Sequence, residues 1–403
     1  MPINKRKQDT AFFLCDSIDD LTKEEKLILT CSRTWATSGE IESSIYPDLD
    51  WDYTLETATN HHVVPLLYYS FQKVSSDLIP SDVIKKLQQK YTITLAKNIL
   101  AVKELKSVLK SFLESGIEVI LLKGVALADT VYPDIALRPF NDVDILVRKE
   151  DINKARLKLS QLGYKLELSE YRPGFAERFW YVADYTGENL YIDLHWHIIR
   201  HSYSKYAPIT HFWDSAVPIY LDDLKIKVLS PENLLISLCF HALKHHYSSL
   251  LYFVDIAEVI NYYNKLIDWN VFIENIRQYK IYSLVRYVLD LTKALLNPPS
   301  PTTFLEQIIP TNKKLSLEEK LLNALINSNT TKIEWDIADF IMLDSCTARI
   351  QYIYSKFFPC RDFLLFKYPN RSIYSSYFLW QTRIFRESIK FLLKGLAKYN
   401  SYY

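Results

Sequence analysis

Two short runs carry the sharpest alternation of polar and apolar positions in the chain. In NDVDILV (141–147), Asp142, Asp144 and Leu146 fall on one face of a strand, and Val143, Ile145 and Val147 on the other. In LYIDLHWHI (190–198), Tyr191, Asp193, His195 and His197 alternate with Ile192, Leu194, Trp196 and Ile198. Ahead of the first run, 117–122 reads as a buried strand, Lys123-Gly124 as a turn, 125–132 as a short helix, and the following loop carries Arg138. After it, 149–162 has the period of an amphipathic helix closed by Gly163, and 164–168 reads as a strand. Turn residues Thr186-Gly187-Glu188-Asn189 make the second run the return arm of a hairpin whose first arm covers 177–183. Another hairpin is expected around Asp222-Asp223.

Elsewhere the period is helical. Thr22 and Glu25 have capping-box spacing, and 51–73 reads as two short helices broken near Pro65. Over 81–115, Ile84, Leu87, Tyr91, Leu95, Ile99, Val102, Leu105, Leu109 and Leu113 recur at three- and four-residue steps until Gly116. Ser230-Pro231 opens a helix that runs through LLISLCFHALKHH (234–246), with Ser as cap and Pro at the first helical position. Residues 252–296 continue in helical period, and Asn297-Pro298-Pro299-Ser300-Pro301 is the strongest linker signal. Helices are expected at 316–329, 333–358 and 377–399, the last carrying Arg383, Arg386, Lys390, Lys394 and Lys398. This is an α+β chain with a small mixed sheet between N-terminal and C-terminal helical regions. The expected division is 1–115, 116–229, 230–296 and 297–403.

Composition narrows the partners. With 49% hydrophobic against 24% charged residues, a sizeable core is available, and only 7 glycines, where about 28 are expected at a usage of ~7%, favour long helices over tight turns. Net charge is +1, so a nucleic-acid partner is possible but not indicated by overall charge. Cys15, Cys31, Cys239, Cys346 and Cys360 are scattered without C-x-x-C spacing, which argues against a disulfide framework and a zinc site and for the reduced thiols of a cytoplasmic protein. No transmembrane segment is expected, because no run of about 18 apolar residues occurs.

The chemistry lies in the paired aspartates. Like charges side by side on one strand face repel unless a cation stands between them. Oxygen-only ligands favour a hard ion such as Mg²⁺, held by carboxylates and by substrate phosphates. The first run follows a Lys-Gly turn and a helix start, where free N–H groups favour phosphate oxygens.

The run LLKG, a Tyr-Pro turn, Arg138, DVDILV, a helix ending in QLGY and then IDLHW resembles the nucleotidyltransferase superfamily of the DNA polymerase β type. More closely, it is similar to the family of uncharacterised nucleotidyltransferases. The resemblance implies a nucleotidyltransferase core in which Gly124, Asp142, Asp144 and Asp193 take the places of the glycine turn, the D-x-D pair and the third acid. It also implies an NTP donor, an acceptor of unknown class, and Mg²⁺ (Mn²⁺ as an alternative) bound by Asp142, Asp144 and Asp193, which are then the catalytic residues. The superfamily serine after the glycine is Val125 here. Backbone N–H groups, Lys123 and Arg138 are therefore expected to hold the phosphates, with His195 beside the substrate.

Two other readings compete. One is a non-catalytic nucleotide-binding protein of the same fold. The other is a metallohydrolase using His195, His197, His241 and His245, an H-x-H with an H-x-x-x-H. It lacks the glutamate of H-E-x-x-H sites. Lys244 shares the helix face of His241. His61 and His62 read as surface or capping residues, and Asp255 is given no chemistry.

Overall fold

The computed structural model describes residues 21–166, 181–199, 206–245, 247–279, 281–299, 345–359 and 361–400. A seven-stranded mixed sheet, ordered β3-β4-β5-β2-β1-β7-β6, runs through its centre. Its strands are β1 Val119–Leu121, β2 Asp142–Val147, β3 Lys165–Leu166, β4 Val182–Thr186, β5 Tyr191–His195, β6 Val217–Leu221 and β7 Leu224–Val228. The β6–β7 hairpin belongs to this sheet because β7 pairs parallel with β1. The first arm of the other hairpin includes Val182–Thr186, extending past the expected end at 183, while 177–180 of the expected arm lie outside the described residues.

The helices follow their local signals. They are α1 Lys23–Cys31, α2 Ser38–Ser43, α3 Trp51–Asn60, α4 Val64–Phe71, α5 Ser81–Glu114, α6 Val125–Thr130, α7 Ile152–Gln161, α8 Ile209–Asp214, α9 Pro231–Lys244, α10 Leu250–Tyr263, α11 Trp269–Gln278, α12 Tyr282–Leu296, α13 Cys346–Phe357, α14 Arg361–Lys367 and α15 Ile373–Asn400. Thr22 and Glu25 form the capping box of α1, and Pro65 stands in the first turn of α4. Gly116 has φ +68° just past the end of α5, the left-handed turn that glycine adopts without a Cβ penalty. Ser230 accepts a hydrogen bond from the Asn233 N–H at the start of α9. The expected tail 1–20 and helix 316–329 lie outside the described residues.

Two apolar cores flank the sheet. On one face, Val119, Leu121, Val143, Ile145, Val147, Ile192 and Leu194 pack with α7 and the second half of α5. On the other, Ile120, Leu122 and Leu146 pack with α1, α4, the start of α5, and α9 through α12. At 34 residues, α5 is about 50 Å long and belongs to both cores. The N-terminal helices thus share one core with the helices that follow the sheet.

A fully buried ion pair ties this second helical layer to the sheet. Arg138, in the loop before β2, donates to both carboxylate oxygens of Asp255 on α10, Nη2 to Oδ2 at 2.9 Å and Nε to Oδ1 at 3.3 Å. Tyr132 donates its hydroxyl to Asp255 Oδ1 at 2.7 Å. Asn98 of α5 donates to the carbonyls of Ile135 and Arg138 at 2.7 and 3.0 Å. Burial works against the guanidinium's charge, but Asp255 outweighs it and holds the Arg138 pKa above its ordinary value. One turn further along the same helix, Glu258 accepts from Thr34 N and Oγ1, beyond the end of α1, at 2.8 and 2.7 Å. His61 is buried rather than superficial. It caps α3, and its Nδ1 accepts from the Leu250 N–H at 3.1 Å.

Removing one partner from a buried pair leaves an uncompensated charge in a low-dielectric interior. Asp255→Ala is expected to lower stability by about 3–5 kcal/mol, read by urea unfolding. The double replacement Arg138→Met with Asp255→Leu is expected to be less damaging than Asp255→Ala alone. A double variant as unstable as the single one would show that the pair is not what ties the layers.

Candidate active site

The sheet face that carries Asp142, Asp144 and Leu146 is the face toward α9 and α10, because Leu146 belongs to that core. Leu146 and Ile120 are covered there. The half of β2 bearing the aspartates is left beside a recess of about 400 Å³, counting space open to solvent. Lys123, Tyr181, His195, Ser237, His241 and Lys244 are among its lining residues. β2 and β5 run parallel in a register that sets Asp144 opposite Asp193. The two carboxylates predicted from separate strands are therefore neighbours.

A third acid completes a row. β4 runs antiparallel to β5 with Asp184 opposite Asp193, so Asp144, Asp193 and Asp184 stand side by side on one face of three adjacent strands. Asp184 escaped the sequence reading because the first arm was ended at Ala183. The strands close on a four-residue turn, Gly187–Leu190, which pairs Asp184 with Asp193, and the alternation of Val182, Asp184 and Thr186 places it on the polar face.

Asp144 is almost wholly enclosed, at 2% exposure. Its Oδ1 accepts from the Lys123 ammonium and from His195 Nε2, the latter at 2.9 Å. Burial raises the pKa of this carboxyl, but Lys123 and His195 outweigh it and hold Asp144 well below the usual carboxylate range. Burial also pushes the His195 imidazole down. A neutral ring facing an ionised carboxylate must carry its proton on Nε2, which makes His195 the orienting donor of Asp144. Asp193 behaves oppositely. Burial first, then the charges of Asp144, Asp142 and Asp184, push it up to about 7, with Lys244 opposing.

Ligand atoms of Asp144, Asp193 and His195 lie within 4.8 Å of one another. Two carboxylates under mutual repulsion, with one forced toward protonation, are a donor set that a divalent cation would satisfy, so the residues fit one. Among the described residues no other group of three such ligands occurs, and His197, His241 and His245 form no metal cluster. His197 Nδ1 accepts from the Ile199 N–H at 3.0 Å, while His241 and His245 meet edge to face, with ring centroids 4.5 Å apart, and both lie against Tyr252 of α10.

The turn before α6 is set by its backbone. Gly124 has φ +59° and ψ −108°, a region essentially closed to residues with a Cβ. A Cβ there would meet Arg138 Nη1 and the Asp142 carbonyl at an ordinary 3.5 Å. Conformation rather than space demands the glycine. Lys123 lines the recess from this turn, whereas Arg138, expected behind it, is paired with Asp255.

The model of a family described as uncharacterised nucleotidyltransferase matches residues 47–297, more than half of the chain. The chain belongs to this nucleotidyltransferase family. The match covers α3 through α12 and includes the acid row, Lys123, His195 and Asp255. Neither a curated protein nor a solved structure matches significantly. Family membership carries nucleotidyl transfer as the general activity and a divalent metal as its companion. No helix among the described residues is long and apolar enough to cross a membrane.

Two consequences can be measured. The folded-state pKa of Asp193 lies above its unfolded value of about 3.9. Its ionisation therefore costs nothing below pH 4, costs progressively more from pH 4 to 7, and costs in full above pH 7. Metal-free Asp193→Asn is expected to be more stable than the unsubstituted chain at pH 8, by on the order of 1–2 kcal/mol after discounting for partial exposure, and equal to it below about pH 4. Added Mg²⁺ or Mn²⁺ is expected to raise the melting temperature of the unsubstituted chain but not of the variant. Gly124→Ala is expected to cost about 1–3 kcal/mol in urea unfolding. Gly39→Ala, in α2 with nothing near its Cβ position, is expected to cost nothing.

Proposed function

We propose that this chain moves a nucleoside monophosphate from an NTP to a hydroxyl-bearing acceptor and releases pyrophosphate. In this reading an acceptor oxygen forms a bond to the α-phosphorus as the bond to the pyrophosphate oxygen breaks, and the acceptor proton is given up to a base. Such transfer depends on positioning and on neutralising charge more than on covalent help. The observation that carries the reading is the parallel register of β2 and β5. It brings Asp193 beside Asp144 in a chain that belongs to a nucleotidyltransferase family.

The roles follow from place. Asp142, Asp144 and Asp193 are assigned to hold Mg²⁺, with Mn²⁺ as the alternative. When bound, the metal neutralises the phosphates and activates the acceptor oxygen. Asp193 is assigned to receive the acceptor proton. His195 orients Asp144 through Nε2, and its ring borders the recess where substrate enters. Lys123, which donates to Asp144 and lines the recess, is assigned to the phosphates as well. Gly124 sets the turn that delivers Lys123. Arg138 and Asp255 keep the loop before β2 in place, which makes them positioning residues.

The test is to incubate the full chain with each α-labelled NTP and Mg²⁺, together with lysate separated into small molecules, protein and RNA. Label is expected in one fraction, and Asp144→Asn is expected to reduce it at least a hundredfold, the scale of losing a preorganised electrostatic contact. A chain that binds no NTP and labels nothing would overturn the reading.

A further inference from the structure

The recess lies beside the row of three carboxylates, so a triphosphate held there needs cations beyond those that already neutralise Asp144. The two cations that stand nearest in sequence are engaged. Arg138 is buried in its pair with Asp255, and Lys123 is bonded to Asp144. Lys244 differs. It stands in the last turn of α9, lines the recess together with Lys123 and His195, and feels the charges of Asp144, Asp193 and Asp184. Yet no ion pair joins it to any carboxylate among the described residues.

A second observation points to a ligand. His241, one turn earlier on the same helix face, also lines the recess, and its Nδ1 is buried without a hydrogen-bond partner among the described residues. An orphaned buried nitrogen calls for an explanation, and a group brought in by a ligand is one. Burial, followed by Lys123 and His245, keeps this imidazole uncharged, so it can serve such a group without adding a competing cation.

We propose that Lys244 grips the β- and γ-phosphates of the donor nucleotide, opposite the acid row that holds the metal, and so makes the recess prefer triphosphates over monophosphates. This rests on the nucleotidyltransferase reading above. An ammonium on a four-carbon stem is a compact charge with three donors that can follow phosphate oxygens. Its place at the C-terminal end of α9 is also where the helix dipole favours a cation.

Binding decides this without turnover. The full chain with Mg²⁺ is titrated calorimetrically with an α,β-methylene NTP and, separately, with the matching NMP. Lys244→Met is expected to weaken the triphosphate analogue ten- to a hundredfold, the worth of a charged hydrogen bond, and to leave NMP within about twofold. Lys244→Arg is expected to retain most of the triphosphate affinity. In the unsubstituted chain, acetylation of Lys244 read by mass spectrometry is expected to fall several-fold with the triphosphate analogue and not with NMP, which keeps the test open if Lys244→Met folds poorly. Equal loss for both nucleotides, or no loss for either, would overturn the Lys244 assignment while leaving nucleotidyl transfer standing. An unsubstituted chain that binds neither nucleotide would overturn both.

Discussion

Like charges placed shoulder to shoulder on a half-covered sheet face set the terms for the rest of this structure. Parallel pairing of β2 with β5 and antiparallel pairing of β5 with β4 put Asp144, Asp193 and Asp184 in one line, at a strand spacing of about 4.8 Å. An apolar layer closes over the adjoining Leu146 and Ile120, so these carboxylates are partly desolvated as well as crowded. Desolvation and repulsion act together on Asp193 and drive its carboxyl toward the neutral form. Asp144 escapes the same fate only because Lys123 and His195 both bond to one of its oxygens. A face built this way is costly for folding alone and useful for capturing cations.

The helical layer answers that cost. α9 brings His241 and Lys244 over the recess, and α10 sends Asp255 down to Arg138. The buried Arg138–Asp255 pair, reinforced by Tyr132 and Asn98, fixes the loop from which β2 emerges. Since β2 carries two of the acids, the geometry of the site depends on a helix whose sequence lies more than a hundred residues away. The long α5 helps by joining the two cores on either side of the sheet. The N-terminal helices are part of the layer that shapes the recess.

Much of this was legible in local pattern. Period-two alternation around Asp142, Asp144, Asp193 and His195 identified the strands and their polar face. Capping residues at Thr22 and Ser230, and Gly116 past the end of α5, marked helix ends, because these signals act over a single turn. Two features were read differently by the fold. Asp184 was cut off from its strand by a first arm ended too early, and the turn that pairs it with Asp193, Gly187–Leu190, lies one position beyond the expected Thr186–Asn189. Asp255, given no chemistry in the sequence, turned out to hold Arg138, and nothing local to either residue announces the other.

By itself, the amino-acid sequence determined which residues sit on the polar faces of β2 and β5, the turn at Lys123-Gly124, and membership of the nucleotidyltransferase family, since each follows from short-range pattern or from motif order. Only the tertiary structure decided that the three acids converge, that Lys123 and His195 share Asp144 Oδ1, that Arg138 is spent on Asp255, and that Lys244 is left facing the recess. Those outcomes depend on strand register and on helices docking across the sheet. Both are settled by how apolar faces bury one another over long chain separations, which no local stretch of residues encodes.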